Sequence, residues 1–289
     1  MIIEFIKFIV YLIIIVVISK YLLVYSLRKL AKLLDLKPKI VGNISGYATS
    51  IPELLTITAS SVSGLMDASI VNAISSNMIN IFQYVLTIFM SKNHRALKNK
   101  AVVIDLILSI CTIIIPLILI SIDKGDSIEI IPVYILLYIV FRIINNNCHK
   151  IYSEINIEEK SIEGKNIKEK ETRLFKNGMK IRKVIRYILY LFLSGLLLYI
   201  VGDCLRKTIE ILCNRFYISQ IFIGILLGFM TSLPELISFI EAQRHYKREN
   251  NNILGVVEAS NNLLTSNVLN LFVFQSLGIV IAFIYLYRI

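Results

Sequence analysis

A bundle of membrane-crossing α-helices is the fold class the sequence predicts, and three observations predict it. Apolar runs of about 20 residues, the length a helix needs to cross a bilayer, recur along the chain. Hydrophobic residues make up 56% of the sequence and the mean hydropathy is +0.71, more than a soluble core of 289 residues requires. Lysine and arginine gather in alternate connections between the runs, as in chains that a membrane orients.

The runs predict eight crossings, near 5–27, 40–63, 67–90, 101–122, 128–145, 184–205, 216–241 and 255–287. The first, whose apolar core spans Phe8 to Leu27, is too long for a signal-peptide core and has no small-residue cleavage site, so it reads as a mature span. Arg28, Lys29, Lys32, Lys37 and Lys39 follow the first run; Lys92, Arg95, Lys98 and Lys100 follow the third; Arg244, Lys247 and Arg248 follow the seventh. The connections 64–66 and 123–127 carry only Lys124, which places the N-terminus outside; Arg206, Lys207 and Arg215 on the outer side run against the rule. Residues 146–183 mix both charge signs and read as a cytoplasmic linker between a first membrane half, 1–145, and a second, 184–289.

The net charge of +11 raises the question of nucleic acid, but the basic residues lie between apolar runs and are not interleaved with aromatics on one soluble face, so none is expected as a partner. Cys111, Cys148, Cys204 and Cys213 form no C-x-x-C pair and read as free thiols. No nucleophile-and-base set and no phosphate-cradling loop is present, so neither an enzyme nor a cofactor is expected.

A repeat organises the apolar runs. "GYATSIPEL" at 46–54 returns as "GFMTSLPEL" at 228–236, and "NAISSNMIN" at 72–80 returns as "NLLTSNVLN" at 262–270. The copies, at 40–90 and 216–287, begin in the second and seventh crossings, so they run in opposite directions through the bilayer. Inverted repeats of this kind hold ions near the midplane, where helices are discontinuous.

The residue types explain why. Pro52 removes a backbone donor and disturbs the helix around Ala48 and Thr49, which frees carbonyl oxygens as ligands. Glu53, in the same stretch, needs a wet or protein-lined cavity; a carboxylate at the helix centre costs about 2.5–3.5 kcal/mol on insertion scales. At helical spacing Thr49, Glu53, Thr56 and Ser60 form one polar stripe, repeated by Thr231, Glu235 and Ser238. Asn72, Ser76 and Asn80 form another, repeated by Asn262, Ser266 and Asn270. A pocket of carboxylates, hydroxyls, amide oxygens and carbonyls, without His, Cys or Met, suits a hard cation such as Ca²⁺ or Na⁺. Asp105 and Glu129, near predicted span ends, read as interfacial, and Glu258, one turn before Asn262, as a helix-start charge or a vestibule ligand.

At these residues the sequence resembles the cation/calcium exchanger superfamily, the sodium/calcium exchangers and their prokaryotic relatives, whose paired motifs read G-T-S-x-P-E and G-N-x-x-G-S-N-x-x-N. The resemblance implies Glu53 and Glu235 as central cation ligands, with hydroxyl or carbonyl oxygen from Thr49, Ser50, Thr231 and Ser232. It further implies Ser76 and Ser266 lining the site, amide oxygen from Asn80 and Asn270, and small residues with ion-facing carbonyls at Gly46 and Gly228. The implied activity is antiport of Ca²⁺ against Na⁺ or H⁺ across a prokaryotic cell membrane, by alternating access as the first and sixth helices slide across the core.

Ala48, Met230, Ser75 and Thr265 replace glycines of the family pattern. The family has five spans per half, whereas aligning Asn267 with Asn77 sets Ile289 opposite Asn99, so the second half lacks counterparts of 101–122 and 128–145. Three readings stay open: an incomplete scaffold that transports, a partner or second copy on that flank, or a non-transporting protein that keeps the fold to bind cations or a partner.

Overall fold

The computed structural model describes residues 2–34, 36–122, 125–153, 173–248 and 252–286, and every regular element among them is helical. Helix α1 (Ile2–Ile18) passes through a π-type stretch at Ser19–Val24 into α2 (Tyr25–Leu33). The second crossing comes in two pieces, α3 (Pro38–Thr49) and α4 (Ile51–Val62), followed by α5 (Met66–Met90), α6 (Lys100–Ser121) and α7 (Ile131–Ser153). The second half opens with α8 (Arg173–Glu210), then another broken pair, α9 (Gln220–Thr231) and α10 (Leu233–Arg248). It ends with α11 (Asn252–Val268), a π-type stretch at Leu269–Phe274, and α12 (Gln275–Leu286).

Among the described residues, seven helical stretches are long and apolar enough to cross a membrane: Ile2–Leu30, Met66–Met90, Lys100–Ser121, Ile128–Cys148, Arg182–Arg215, Gln220–Arg248 and Asn252–Tyr285. The remaining predicted crossing, 40–63, is α3 plus α4, two pieces of 12 residues each that only together reach that length. Large apolar side chains such as Phe192 and Tyr199 on α8 and Phe82 on α5 are exposed, as lipid-facing surfaces require.

Both breaks have a local cause. Ser50 (φ −84°, ψ 2°) and Ser232 (φ −78°, ψ −4°) leave helical geometry two residues before Pro52 and Pro234. Each proline lacks the N–H that would have bonded the carbonyl four residues earlier, at Ala48 and Met230. The serine hydroxyls take up part of the slack by donating to Gly46 O at 2.8 Å and Gly228 O at 2.7 Å.

The repeats interlock through reciprocal packing: α3 lies along α11, and α9 along α5. Close approach depends on glycines four residues apart. A Cβ on Gly46 would meet Thr265 Cβ at 2.8 Å and Asn262 O at 2.9 Å; one on Gly228 would meet Ser76 N at 2.9 Å and Asn72 O at 3.0 Å. Gly42 sits equally tight against Asn261 Cβ and Glu258 O, and Gly224 against Ala68 O at 2.8 Å and Val71 Cβ. Thr265 and Ser75, two departures from the family's glycines, are side chains lodged in these notches. Outside this core, α1–α2 and α8 lie against each other, sharing Phe8, Leu12, Ile15, Leu198 and Leu205.

One expectation, on Asp105, is corrected. Both ends of the 146–183 linker are helical, since α7 runs on to Ser153 and α8 begins at Arg173; polar residues bar a helix from lipid but not from continuing into water. Residues 154–172, with most of the charged run, lie outside the described residues. Asp105 is not interfacial: it is fully buried, accepting from Asn145 Nδ2 on α7 at 2.8 Å and Ser260 Oγ on α11 at 2.7 Å. A carboxylate with two polar partners on neighbouring helices is held in the protein interior even near a span end. Glu129 is exposed in the short turn before α7.

Candidate functional site

The two helix breaks and the two Asn/Ser stripes meet in the core. Glu53 lies in the first turn of α4 and Glu235 in the first turn of α10, both fully buried. Ser266, which bonds Glu235, also touches Ser50, three residues before Glu53 in the chain. The first turn of a helix favours negative charge, while the carbonyl ends of α3 and α9 bring negative dipole ends to the same region.

Helices α5 and α11 supply the opposing wall. Ser266 Oγ donates to Glu235 Oε1 at 3.1 Å, accepts from Asn80 Nδ2 at 3.3 Å and lies 2.8 Å from Ser50 Oγ, whose single proton can serve either Ser266 or Gly46 O. Asn262 Nδ2 donates to Ser238 Oγ at 2.8 Å, matched by Asn72 Nδ2 to Thr56 Oγ1 at 2.7 Å. Thr49 Oγ1 reaches Asn262 Oδ1 at 3.4 Å, though its shorter bond is to Ser45 O at 2.9 Å; Thr231 Oγ1 likewise donates to Leu227 O at 2.9 Å. Ser76 Oγ donates to Asn72 O at 2.8 Å, and its own carbonyl faces Ser232 Oγ at 3.5 Å. All twelve sequence-nominated residues, from Gly46 to Asn270, therefore fall in or against one buried region.

What this region lacks is donors. Among the described residues, Glu53 Oε1 and Oε2, Glu235 Oε2, Asn80 Oδ1 and Asn270 Oδ1 are buried with no hydrogen-bond partner. The amide nitrogens of Asn80 and Asn270 are engaged, with Asn267 Oδ1 at 3.1 Å and Asn77 Oδ1 at 3.2 Å, which leaves the oxygens free. Buried acceptors ordinarily find a donor, so five bare oxygens in one core are a concentrated deficit of positive charge. Among the described residues no group of three or more His, Cys, Asp or Glu side chains gathers, so any ligand set here is two carboxylates completed by neutral oxygens.

Sequence reasoning missed three features of the site. Asn77 Nδ2 donates to Asn267 O at 3.1 Å while Asn267 Nδ2 donates to Asn77 O at 3.2 Å, a reciprocal clasp between the repeats. Both asparagines stand in the repeated motif but off the i, i+4 stripe. The second feature is the spacing Gly42-x-x-x-Gly46 and Gly224-x-x-x-Gly228, a legible signal for close helix contact. The third is Arg28, which reaches the second repeat from α2, bonding Ser238 O at 2.7 Å.

Inverted repeats crossing through broken helices around an acid-bearing, oxygen-lined core define a class of membrane transporters. The chain belongs to the sodium/calcium exchanger protein family, whose sequence model matches residues 4–145 and 186–288, and it is thereby a multi-pass membrane protein of a cation-exchanging family. Solved structures of the sodium-calcium exchanger NCX_Mj are similar to it. The form soaked with 10 mM Na⁺ and zero Ca²⁺ is 22% identical with a TM-score of 0.46, covering 99% of this chain and 91% of that one. The form soaked with 10 mM Na⁺ and 10 mM Sr²⁺ is 20% identical with a TM-score of 0.47 over the same shares. No curated protein matches the sequence significantly.

Proposed function

We propose that the protein is a secondary antiporter that exchanges Ca²⁺ for Na⁺ or H⁺ by alternating access to the site between Glu53 and Glu235. The observation that carries this reading is the set of five partnerless buried oxygens, two of them on Glu53. An uncompensated carboxylate in a low-dielectric interior costs several kcal/mol, and a bound cation removes that cost. Two carboxylates balance one Ca²⁺, and they can instead take up Na⁺ ions or protons, so the two kinds of cargo compete for the same charge. That competition is what couples their movement.

Within this reading Glu53 and Glu235 hold the charge, while Asn80 and Asn270 contribute amide oxygen. Thr49, Ser50, Thr231 and Ser232 supply hydroxyl or carbonyl oxygen, with Ser76 and Ser266 lining the site against the glycine contacts at Gly46 and Gly228. The lysine and arginine pattern supports an orientation with the N-terminus outside and the α2 end of the first helix in the cytoplasm.

Purified protein in vesicles loaded with Na⁺ is the test. On dilution into Na⁺-free buffer, or with an imposed proton gradient, ⁴⁵Ca²⁺ should accumulate, and Glu53→Gln should stop it. Absence of uptake under both gradients, or full uptake by Glu53→Gln, would refute the proposal.

A further inference from the structure

The α2 end of the molecule holds a second charged cluster, outside the site. Arg28 places Nη2 2.7 Å from Ser238 O and 3.0 Å from Glu258 Oε1, and Nε 3.0 Å from Glu241 Oε2. Glu258 is only 2% exposed, whereas Glu241 is 45% exposed. Arg28 thus ties the first helix to α10 and α11 at once. With Glu241 and Glu258 it lines a cavity of about 650 Å³, alongside Tyr25, Val41 and Leu254.

Glu258 is in line with the site. It begins the row Glu258, Asn262 and Ser266 on α11, continued by Asn270 in the π-type stretch, each a helical step of about 6 Å from the next. The α10 row Glu235, Ser238, Glu241 runs alongside it, so the oxygens around Arg28 continue both polar rows outward. A positive group held by a carbonyl and two carboxylates occupies a position that would suit a metal cation. Glu258 Oε1 and Arg28 Nε are also without a well-aligned hydrogen bond despite their short ion-pair distances, so the contact is Coulombic more than directional.

The opposite end is built differently. The packing of Gly224 on Ala68 mirrors that of Gly42 on Glu258, so Ala68 stands where Glu258 does, and the repeat places Ala59 opposite Glu241. Asp67, next to Ala68, is exposed. There α8 meets α4 through Gly202 packed on Leu55, and the ion pairs of Arg206 with Asp203 and Glu210 and of Lys207 with Asp203 stay within α8.

We propose that Arg28 is a tethered internal cation that closes the α2 end, and that Glu258 with Glu241 forms an outer lodging site from which an arriving divalent cation displaces it. This rests on the exchanger reading above. When the guanidinium leaves, α2 loses its polar tie to α10 and α11, and the way to Ser238 and Glu235 opens. Among the described residues the ion pairs of α8 do not cross to α4, so the charged tie between helices that closes the α2 end is not repeated at the other.

The test is thiol access from the α2 side in a background with the four native cysteines replaced. With Ser238→Cys as the reporter beneath Arg28, a membrane-impermeant maleimide should react about tenfold faster when Arg28→Gln is added; Ca²⁺ should speed the reaction where Arg28 is kept, by displacing it, and slow it in Arg28→Gln, by lodging in its place. Arg28→Lys should give an intermediate rate, because an ammonium cannot hold three acceptors in one plane. If Arg28→Gln fails to fold, Glu241→Gln with Glu258→Gln frees the same arginine and should speed labelling equally. Unchanged labelling in whichever of these variants folds overturns the inference. Vesicles that show no exchange, with labelling that still responds to Arg28 and Ca²⁺, would overturn the antiport reading and leave the plug standing.

Discussion

Among the described residues Glu53 has no hydrogen-bond partner for either carboxylate oxygen, whereas Glu235, its counterpart in the other repeat, accepts from Ser266 at 3.1 Å. Around them the repeats are nearly interchangeable: the Asn72–Thr56 bond is matched by Asn262–Ser238, and the Asn80 and Asn270 amides reach across in the same way. The difference shows that a common backbone can hold one acid ready-oriented and leave the other dependent on a cation. The same contrast recurs outside the core, where Glu241 and Glu258 stand opposite Ala59 and Ala68. Symmetry is kept in the contacts that position backbone and given up in those that handle charge.

The comparison is broken or sharpened most strongly at the acids. Glu53→Gln and Glu235→Gln should each lower Ca²⁺ affinity by two orders of magnitude or more, about 3 kcal/mol, measured by the calcium-dependent rise in melting temperature. Without cation the two should part: Glu53→Gln replaces an acid with no hydrogen-bond partner and does not lower the melting temperature, while Glu235→Gln loses the Ser266 bond to a carboxylate and does. Equal behaviour in cation-free buffer would erase the distinction drawn between them.

Next in size is the glycine packing. Gly46→Ala and Gly228→Ala should each cost about 1–3 kcal/mol, since the new methyl lands within 3 Å of backbone atoms on the facing helix. The losses should be similar in denaturant midpoints; a large inequality would mean the two packings are not equivalent.

Smaller still are the clasp asparagines. Asn77→Ala and Asn267→Ala should each cost about 0.6–1.7 kcal/mol, the span found for polar contacts between membrane helices. Ser266→Ala should cost about 1 kcal/mol and Ser76→Ala less, because the Ser266 hydroxyl serves a carboxylate while Ser76 bonds within its own helix.

Much of this was legible in the sequence because it depends on local pattern. Apolar length predicts the spans, proline predicts the helix breaks, and the repeated P-E and S-N motifs pick out the buried polar side chains. The breaks fall at Ser50 and Ser232 because the lost donor belongs to the proline but the carbonyl it would have met lies a turn earlier. What was not legible depends on pairs far apart in the chain. Arg28 and Glu258 are 230 positions apart, and nothing near either residue announces the other. Asp105 reads as an end-of-span charge until Asn145 and Ser260 are seen beside it. The glycine spacing was visible, but its meaning depends on which helix lies across it.

The Asn77–Asn267 clasp has a consequence for how the molecule is held as one piece. Each amide grips the main chain of the opposite half, so the halves are joined by bonds that owe nothing to the peptide connecting them. A gene split between α7 and α8 should therefore yield two fragments that find each other in the bilayer, since a tether contributes only effective concentration.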